Sequence, residues 1–388
     1  MTGRKETSIL QSRSGVVRLR SLVPVTRRQF AGAAALASAS TLVMSPAGPA
    51  LSATTVKYHG WQGYDNAIDA NEFLQQNDAT LSTTYINSNE EIIATAQAGG
   101  IGVMDLCTPV HLYVPLYTKA GLLEPLDADK IPNLKGVFPE LSSPPGLVID
   151  GQLYAVPFTW GSIPLMWNAE VIKEPPTSWW DLFNPEYKGK TAAVQDLNGL
   201  MINFAYTATG TKTPARLSQE ELDETIALLI RFKKEQALTI SPSYGDLAAM
   251  FASGDVIIAP GWEPMSVWAG PDAPELKWDI PKEGTVSFVD CYGIITNAPN
   301  RELNHKILNH VLSPEAQVLT AELNATAVTV AAAVPMLSDG VREIYPYDDI
   351  GSYFERAGGL TEMYPLEPDG EYVTYDDVVA AWERFLRA

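Results

Sequence analysis

The chain has 388 residues, 46% of them apolar and 9% aromatic, with 27 Lys and Arg against 46 Asp and Glu. This is the composition of a globular protein and not of a disordered chain. The net charge of −19 argues against nucleic acid or anionic lipid as a partner.

In chain order, the first element is a leader. Arg27-Arg28-Gln29-Phe30 precede an apolar, small-residue stretch over 31–44, with Arg4, Lys5, Arg13, Arg18 and Arg20 before them and small residues over 45–53 after them. Charged, then apolar, then small is the layout of a secretory signal, and the paired arginines make it a twin-arginine signal, which exports proteins already folded. The apolar run is ~14 residues, short of the ~20 that a membrane-spanning helix needs. Cleavage is expected near residues 50–53, giving a mature, soluble periplasmic protein from about Thr54. The remainder holds 20 basic and 45 acidic residues, a net charge of −25. Its roughly 335 residues exceed one ordinary core and imply two domains.

Thr55-Val56-Lys57-Tyr58 predicts a strand, 66–76 a helix with Ile68, Phe73 and Leu74 at helical spacing, and 81–86 a second strand. Ser88 reads as the N-cap of a helix opening at Asn89, and 103–107 as the next strand. Strand then helix, repeated, predicts an α/β fold with a largely parallel sheet. Asp150-Gly151 between apolar runs predicts a hairpin. Beyond Pro157, strands are expected over 164–167, 191–194, 256–259 and 285–289. Ser178 with Asp181, and Ser218 with Glu221, read as capping boxes, the second opening a helix to about Gln236. Further helices are expected over 301–311, 317–323 and 375–386. One α/β unit thus precedes residue 158 and a second follows it.

Cys107 and Cys291 could pair in an oxidising compartment. Both sit in apolar strand-like runs of a chain that would fold in the reducing cytoplasm, so buried free thiols are expected. Enzyme chemistry finds no motif. His59, His111, His305 and His310 build no metal signature, no Gly-x-Ser-x-Gly elbow exists, and Gly99-Gly100-Ile101-Gly102 lacks the Lys-Ser/Thr of a phosphate loop. No cofactor and no metal are expected.

What remains is a set of aromatic residues beside carboxylates in loops after strands: Trp61 and Tyr64 after the first strand, Trp160, Asp196 after 191–194, Trp262-Glu263 after 256–259, and Phe288 with Asp290. Ligands of open α/β sheets sit outside the carboxyl ends of strands. Aromatic faces attract cations, and adjacent carboxylates complete the charge match.

The same segments resemble the periplasmic spermidine/putrescine-binding proteins of ABC importers. The blocks are Gly60-Trp61-Gln62-Gly63-Tyr64, Asp105-Leu106-Cys107-Thr108-Pro109, Tyr154-Ala155-Val156-Pro157-Phe158-Thr159-Trp160-Gly161, Pro176-Thr177-Ser178-Trp179-Trp180-Asp181-Leu182, Tyr187-Lys188-Gly189 and Pro281-Lys282-Glu283-Gly284. The resemblance implies a type II periplasmic binding fold: two α/β lobes, 54–158 plus 289–327 and 159–288 plus 328–388, closing on ligand. It places the crossings near 157–160, 288–291 and 326–330, and Cys107 and Cys291 on strands of one sheet, which raises the case for a disulfide.

By that resemblance, Trp61 and Tyr64 form one aromatic wall and Trp262 the facing one, while Asp196 and Asp290, the latter beside Phe288, hold ammonium groups. Gly63 and Gly199 stand where acidic residues are expected, and Ala325-Thr326 where a tyrosine is expected. Glu263 is an extra carboxylate. The implied function is delivery of a small cationic amine to an inner-membrane ABC permease, by a monomer that is not an enzyme. Fewer acidic partners leave a quaternary ammonium or sulfonium zwitterion open on the same fold. Sugars and ferric iron also stay open, with Tyr345, Tyr347 and Tyr353 expected in a surface region. An exported enzyme is the alternative of another class.

Overall fold

The structure, a computed structural model, describes residues 53–270 and 272–388. The leader reading over 1–53 therefore lies, apart from Ala53, outside the described residues. No described helix is long and apolar enough to cross a membrane.

The strands are β1 (Thr54–Gly60), β2 (Ala79–Tyr85), β3 (Leu106–Cys107), β4 (Val148–Ile149), β5 (Gln152–Leu153), β6 (Ala155–Ser162), β7 (Leu165–Asn168), β8 (Thr191–Val194), β9 (Ala237–Ser241), β10 (Ile258–Pro260), β11 (Leu276–Asp279) and β12 (Ser287–Ile294). They build two five-stranded sheets, ordered β2-β1-β3-β12-β6 and β11-β7-β10-β8-β9, with β4-β5 as a separate hairpin. In the first sheet β1 runs parallel to β2 and β3, and β12 antiparallel to β3 and β6. In the second, β8 is parallel to β9 and β10, while β7 is antiparallel to β10 and β11. This is the two-lobe α/β fold; one continuous core joins residues of both sheets, and a smaller one packs on the second. The chain leaves the first sheet after β6 for β7 and returns from β11 to β12.

Local chemistry explains where expectation and structure part. The helix expected over 66–76 breaks into Asp65–Ile68, Ala70–Glu72 and Phe73–Gln76, because Asn71 and Glu72 take left-handed φ values of 57° and 59°. Asp69 Oδ1 then accepts the Leu74 N–H and starts the last piece. Ser88 stands at the N-cap of Asn89–Thr95 but makes no side-chain cap; Glu91 accepts the Asn87 N–H instead. The strand expected over 103–107 shrinks to two residues, because Val103 and Met104 both donate back to Gly100 O. The Asp150-Gly151 turn has positive φ at both residues, 52° and 76°, the backbone that twists correctly into a hairpin. Both expected capping boxes form, at Ser178 and Ser218.

Cys107 and Cys291 are free and buried. Their strands are neighbours, as the resemblance implied, but Cys107 stands opposite Gly293 rather than Cys291. Burial pushes both thiols up.

Two buried polar residues tie the first sheet together. Asp105 is wholly buried, and its two oxygens accept from Lys57 N, Asn300 N and the side-chain amides of Asn300 and Asn304. His111 Nδ1 accepts the Val289 N–H at 3.1 Å, so its Nε2–H donates to Thr361 O at 2.9 Å. Burial lowers the imidazole to about 4 from 6.5. The folded state therefore binds this proton more weakly than the unfolded chain. The stability that the neutral ring supplies is complete above about pH 6.5 and is lost as pH falls towards 4. Paired melts of the native protein and His111→Gln should show the native advantage shrinking over that window. A pH-independent difference would contradict it.

Candidate functional site

The site grows from a defect in the β6–β12 ladder. Val289 faces Trp160 and Asp290 faces Thr159, but Cys291 then faces Pro157, a one-residue slip. Pro157 has no N–H to offer the ladder, and such bulges re-aim side chains. Asp290, 5% exposed, accepts from the Tyr64 hydroxyl at 2.6 Å. Tyr64 is itself held by the Tyr292 hydroxyl on its carbonyl and by the edge of Phe158. Burial lifts the Asp290 carboxyl to about 7; the Tyr64 hydroxyl opposes that lift and the negative field of Asp196 adds to it. The structure thus brings Tyr64 and Asp290 into direct contact across 226 residues of sequence.

Asp196 is the N-cap of the helix Leu197–Thr209, with Oδ1 accepting the Gly199 N–H and Oδ2 accepting the Tyr244 hydroxyl at 2.7 Å. Burial raises its carboxyl against those two donors. A Cβ on Gly199 would lie 2.6 Å from Asp196 Oδ2, so a side chain there collides with the folded-back carboxylate. Gly63 has φ 93°, and its Cβ would meet Asn324 Oδ1 at 2.4 Å. Both glycines that replace expected acids are therefore required by their surroundings.

Trp262 follows β10. Its ring meets Trp268 edge-on at 5.2 Å, Tyr244 at 6.3 Å and Phe288 at 6.2 Å. Glu263 is wholly buried. Its Oε1 accepts from Ser162 N–H, Ser162 Oγ–H and the Tyr353 hydroxyl, whereas Oε2 has no partner. Burial lifts this carboxyl to about 7, opposed by Tyr353 and Ser162. Trp61 is half-buried, with its carbonyl held by Tyr58 and its indole N–H without a partner. Trp160 lies apart in the core, 0% exposed. Tyr345, Tyr347, Tyr353 and Phe354 pack its ring, and its N–H donates to Val328 O at 2.9 Å.

Tyr345, Tyr347 and Tyr353 are thus buried core, not surface, and their hydroxyls are engaged with Ala325 O, Val328 N and Glu263. Among the described residues, no group of three or more His, Cys, Asp and Glu gathers to hold a metal. A cavity of about 820 Å³ between Thr177, Lys212, Lys282 and Arg356 contains none of the expected site residues.

Sequence reasoning missed Tyr244, Trp268 and Asn324, and it placed Tyr353 at the surface rather than on Glu263. Tyr244 follows β9, a strand absent from the sequence reading, so the strand-end rule that found Trp262 had nothing to act on there. The others carry no local signal. Trp268 Nε1–H donates to Asn324 O, whose side-chain amide donates to Gly63 O. A second bridge runs from Asn198 to the Tyr113 hydroxyl and on to Glu90. Segments that follow strands of the two sheets are therefore hydrogen-bonded to each other at two places.

Residues 70–340 match the model of the bacterial extracellular solute-binding protein family. The spermidine/putrescine-binding periplasmic protein 1 of Haemophilus influenzae is 28% identical over 309 residues, 76% of this chain and 82% of its own. The putrescine-binding periplasmic protein PotF of Escherichia coli is 27% identical over 317 residues, 76% and 84% of the two chains. The fold is similar to that of the spermidine/putrescine substrate-binding protein PotD from Streptococcus pneumoniae, with a TM-score of 0.66 at 19% identity over 86% of this chain and 99% of that one. The match runs from the broken helix after β1 past β12 and covers more than half of the chain: the chain belongs to the bacterial extracellular solute-binding protein family.

Proposed function

We propose that this protein is the periplasmic binding component of an ABC importer and that its solute is a small cationic amine, held between the lobes 54–158 plus 289–327 and 159–288 plus 328–388. The observation that carries the reading is three carboxylates, Asp196, Asp290 and Glu263, that lie beside four aromatic rings and have only hydroxyl and amide donors; one of them, Glu263, keeps an oxygen without a partner. Carboxylates in such surroundings lack a counter-charge, and an ammonium group supplies it. Trp262, Tyr244, Trp268 and Phe288 supply ring surface for the cation's apolar body. The relatives' solutes, spermidine and putrescine, are of this chemistry. Export through the twin-arginine route, release to an inner-membrane permease and a monomeric state complete the proposal.

The test is a thermal-shift panel on protein stripped of solute by unfolding and refolding. Putrescine, spermidine, glycine betaine, sugars and ferric citrate are compared. A solute at ~100 times its Kd adds ~2.7 kcal/mol of stability. Amines should raise Tm while sugars and ferric citrate leave it unchanged. A shift with betaine alone moves the assignment to a quaternary cation held by the four rings. No shift with any cation refutes the reading.

A further inference from the structure

We propose, resting on the amine reading above, that the solute also carries an uncharged acceptor oxygen, a hydroxyl or an amide carbonyl, and that this oxygen meets the Trp262 indole N–H beside Glu263. Two buried polar atoms at this place lack partners: Glu263 Oε2 and Trp262 Nε1. They converge on the face of Gly161, where a Cβ would lie 3.0 Å from Glu263 Oε2, 3.3 Å from Trp262 Nε1 and 3.3 Å from the Phe288 ring. Any side chain at 161 would press on all three groups, so glycine alone leaves the two orphans uncovered by a neighbour. Asp105 shows the contrast: equally buried, it has donors on both oxygens.

The two orphans need different things. Glu263 Oε2 accepts, and an indole N–H can only donate. An ammonium group has hydrogens and no lone pair, so a plain polyamine answers Glu263 and leaves Trp262 unpaired. A hydroxyl oxygen answers both, since it donates to one and accepts from the other. If Glu263 takes up a proton, both atoms become donors and the requirement for an acceptor oxygen only grows. A ligand carboxylate would also accept from Trp262, but it would stand among Asp196, Asp290 and Glu263, and like charge disfavours it.

The experiment titrates stripped full-length protein with 1,4-diaminobutane, 1,4-diaminobutan-2-ol, N-acetyl-1,4-diaminobutane and 4-aminobutyrate. One buried N–H gained or left unpaired is about tenfold in affinity. At least one of the two uncharged oxygen-bearing amines should bind about tenfold tighter than 1,4-diaminobutane. Trp262→Phe, which keeps a ring and removes the N–H, should bring that ratio near one. Diaminobutane binding as tightly as both oxygen-bearing amines overturns this inference and leaves the amine reading standing. Tightest binding of 4-aminobutyrate overturns it in favour of a charged acceptor, and a preference that survives Trp262→Phe overturns the role given to Trp262. Binding of no amine at all would sink the underlying reading as well. Where Trp262→Phe fails to fold, the ratio in the native protein decides.

Discussion

If the solute is the cationic amine proposed above, Asp290→Asn should weaken its binding by roughly 2–4 kcal/mol, about 30- to 1,000-fold, while making the solute-free protein more stable at pH 8. Both effects come from one carboxylate that is 5% exposed and has one hydroxyl donor and no cation. Its pKa is raised in the fold, to about 7, so the fold favours the neutral form. The stability this group contributes is therefore complete below about pH 4 and is lost as pH rises through 7. Asn removes that loss, because it never ionises. An ammonium solute needs the ionised form, so affinity should tighten as pH rises through 7. Between pH 8 and pH 6 the native protein should lose about tenfold in affinity for each carboxylate that must ionise. Glu263, also lifted to about 7, contributes in the same direction. Calorimetric titrations at pH 6, 7 and 8, with melts of the solute-free proteins, read both effects. Unchanged affinity in the Asn variant would remove Asp290 from the site.

Trp160→Ala should cost about 3–5 kcal/mol of stability. The ring fills a space between four aromatic side chains, and its N–H fixes Val328. It also lies where three segments run side by side, β6, β12 and residues 327–330, with Thr159 donating to Ala327 O and Thr329 to Phe158 O. Truncation leaves a cavity there and an unpaired carbonyl. Trp160→Phe should keep most of the packing and lose about 1–2 kcal/mol for the missing hydrogen bond. Urea unfolding of the two variants measures both losses. If the Ala variant unfolded at the native midpoint, the residue would not be a structural anchor.

These outcomes bear on what the sequence makes legible. Strand-helix order, the Asp150-Gly151 hairpin and the two capping boxes are local signals, and the structure contains each of them. The break at Asn71 and Glu72 was not legible, because left-handed backbone at two such residues is decided by packing. Trp160 and Tyr64 share a composition-level signal with Trp262, an aromatic residue near a strand end. Only tertiary contact separates a tryptophan packed from all sides from one with an unpartnered N–H. The Tyr64–Asp290 pair, 226 positions apart, has no periodicity to betray it. Gly63 and Gly199 read as missing acids, yet each makes room for a neighbour that sequence alone does not place beside it.

Asp196 starts a 13-residue helix and stands among the candidate carboxylates. In evolutionary terms, that double duty narrows the paths to a new solute. A mutation at Asp196 is screened by folding before any transported molecule is tested, so drift there is slow whichever nutrient is scarce. Phe288 carries no polar side-chain atom and starts nothing. Descendants that switch nutrients should keep a helix-starting residue at 196 and record the switch at 288.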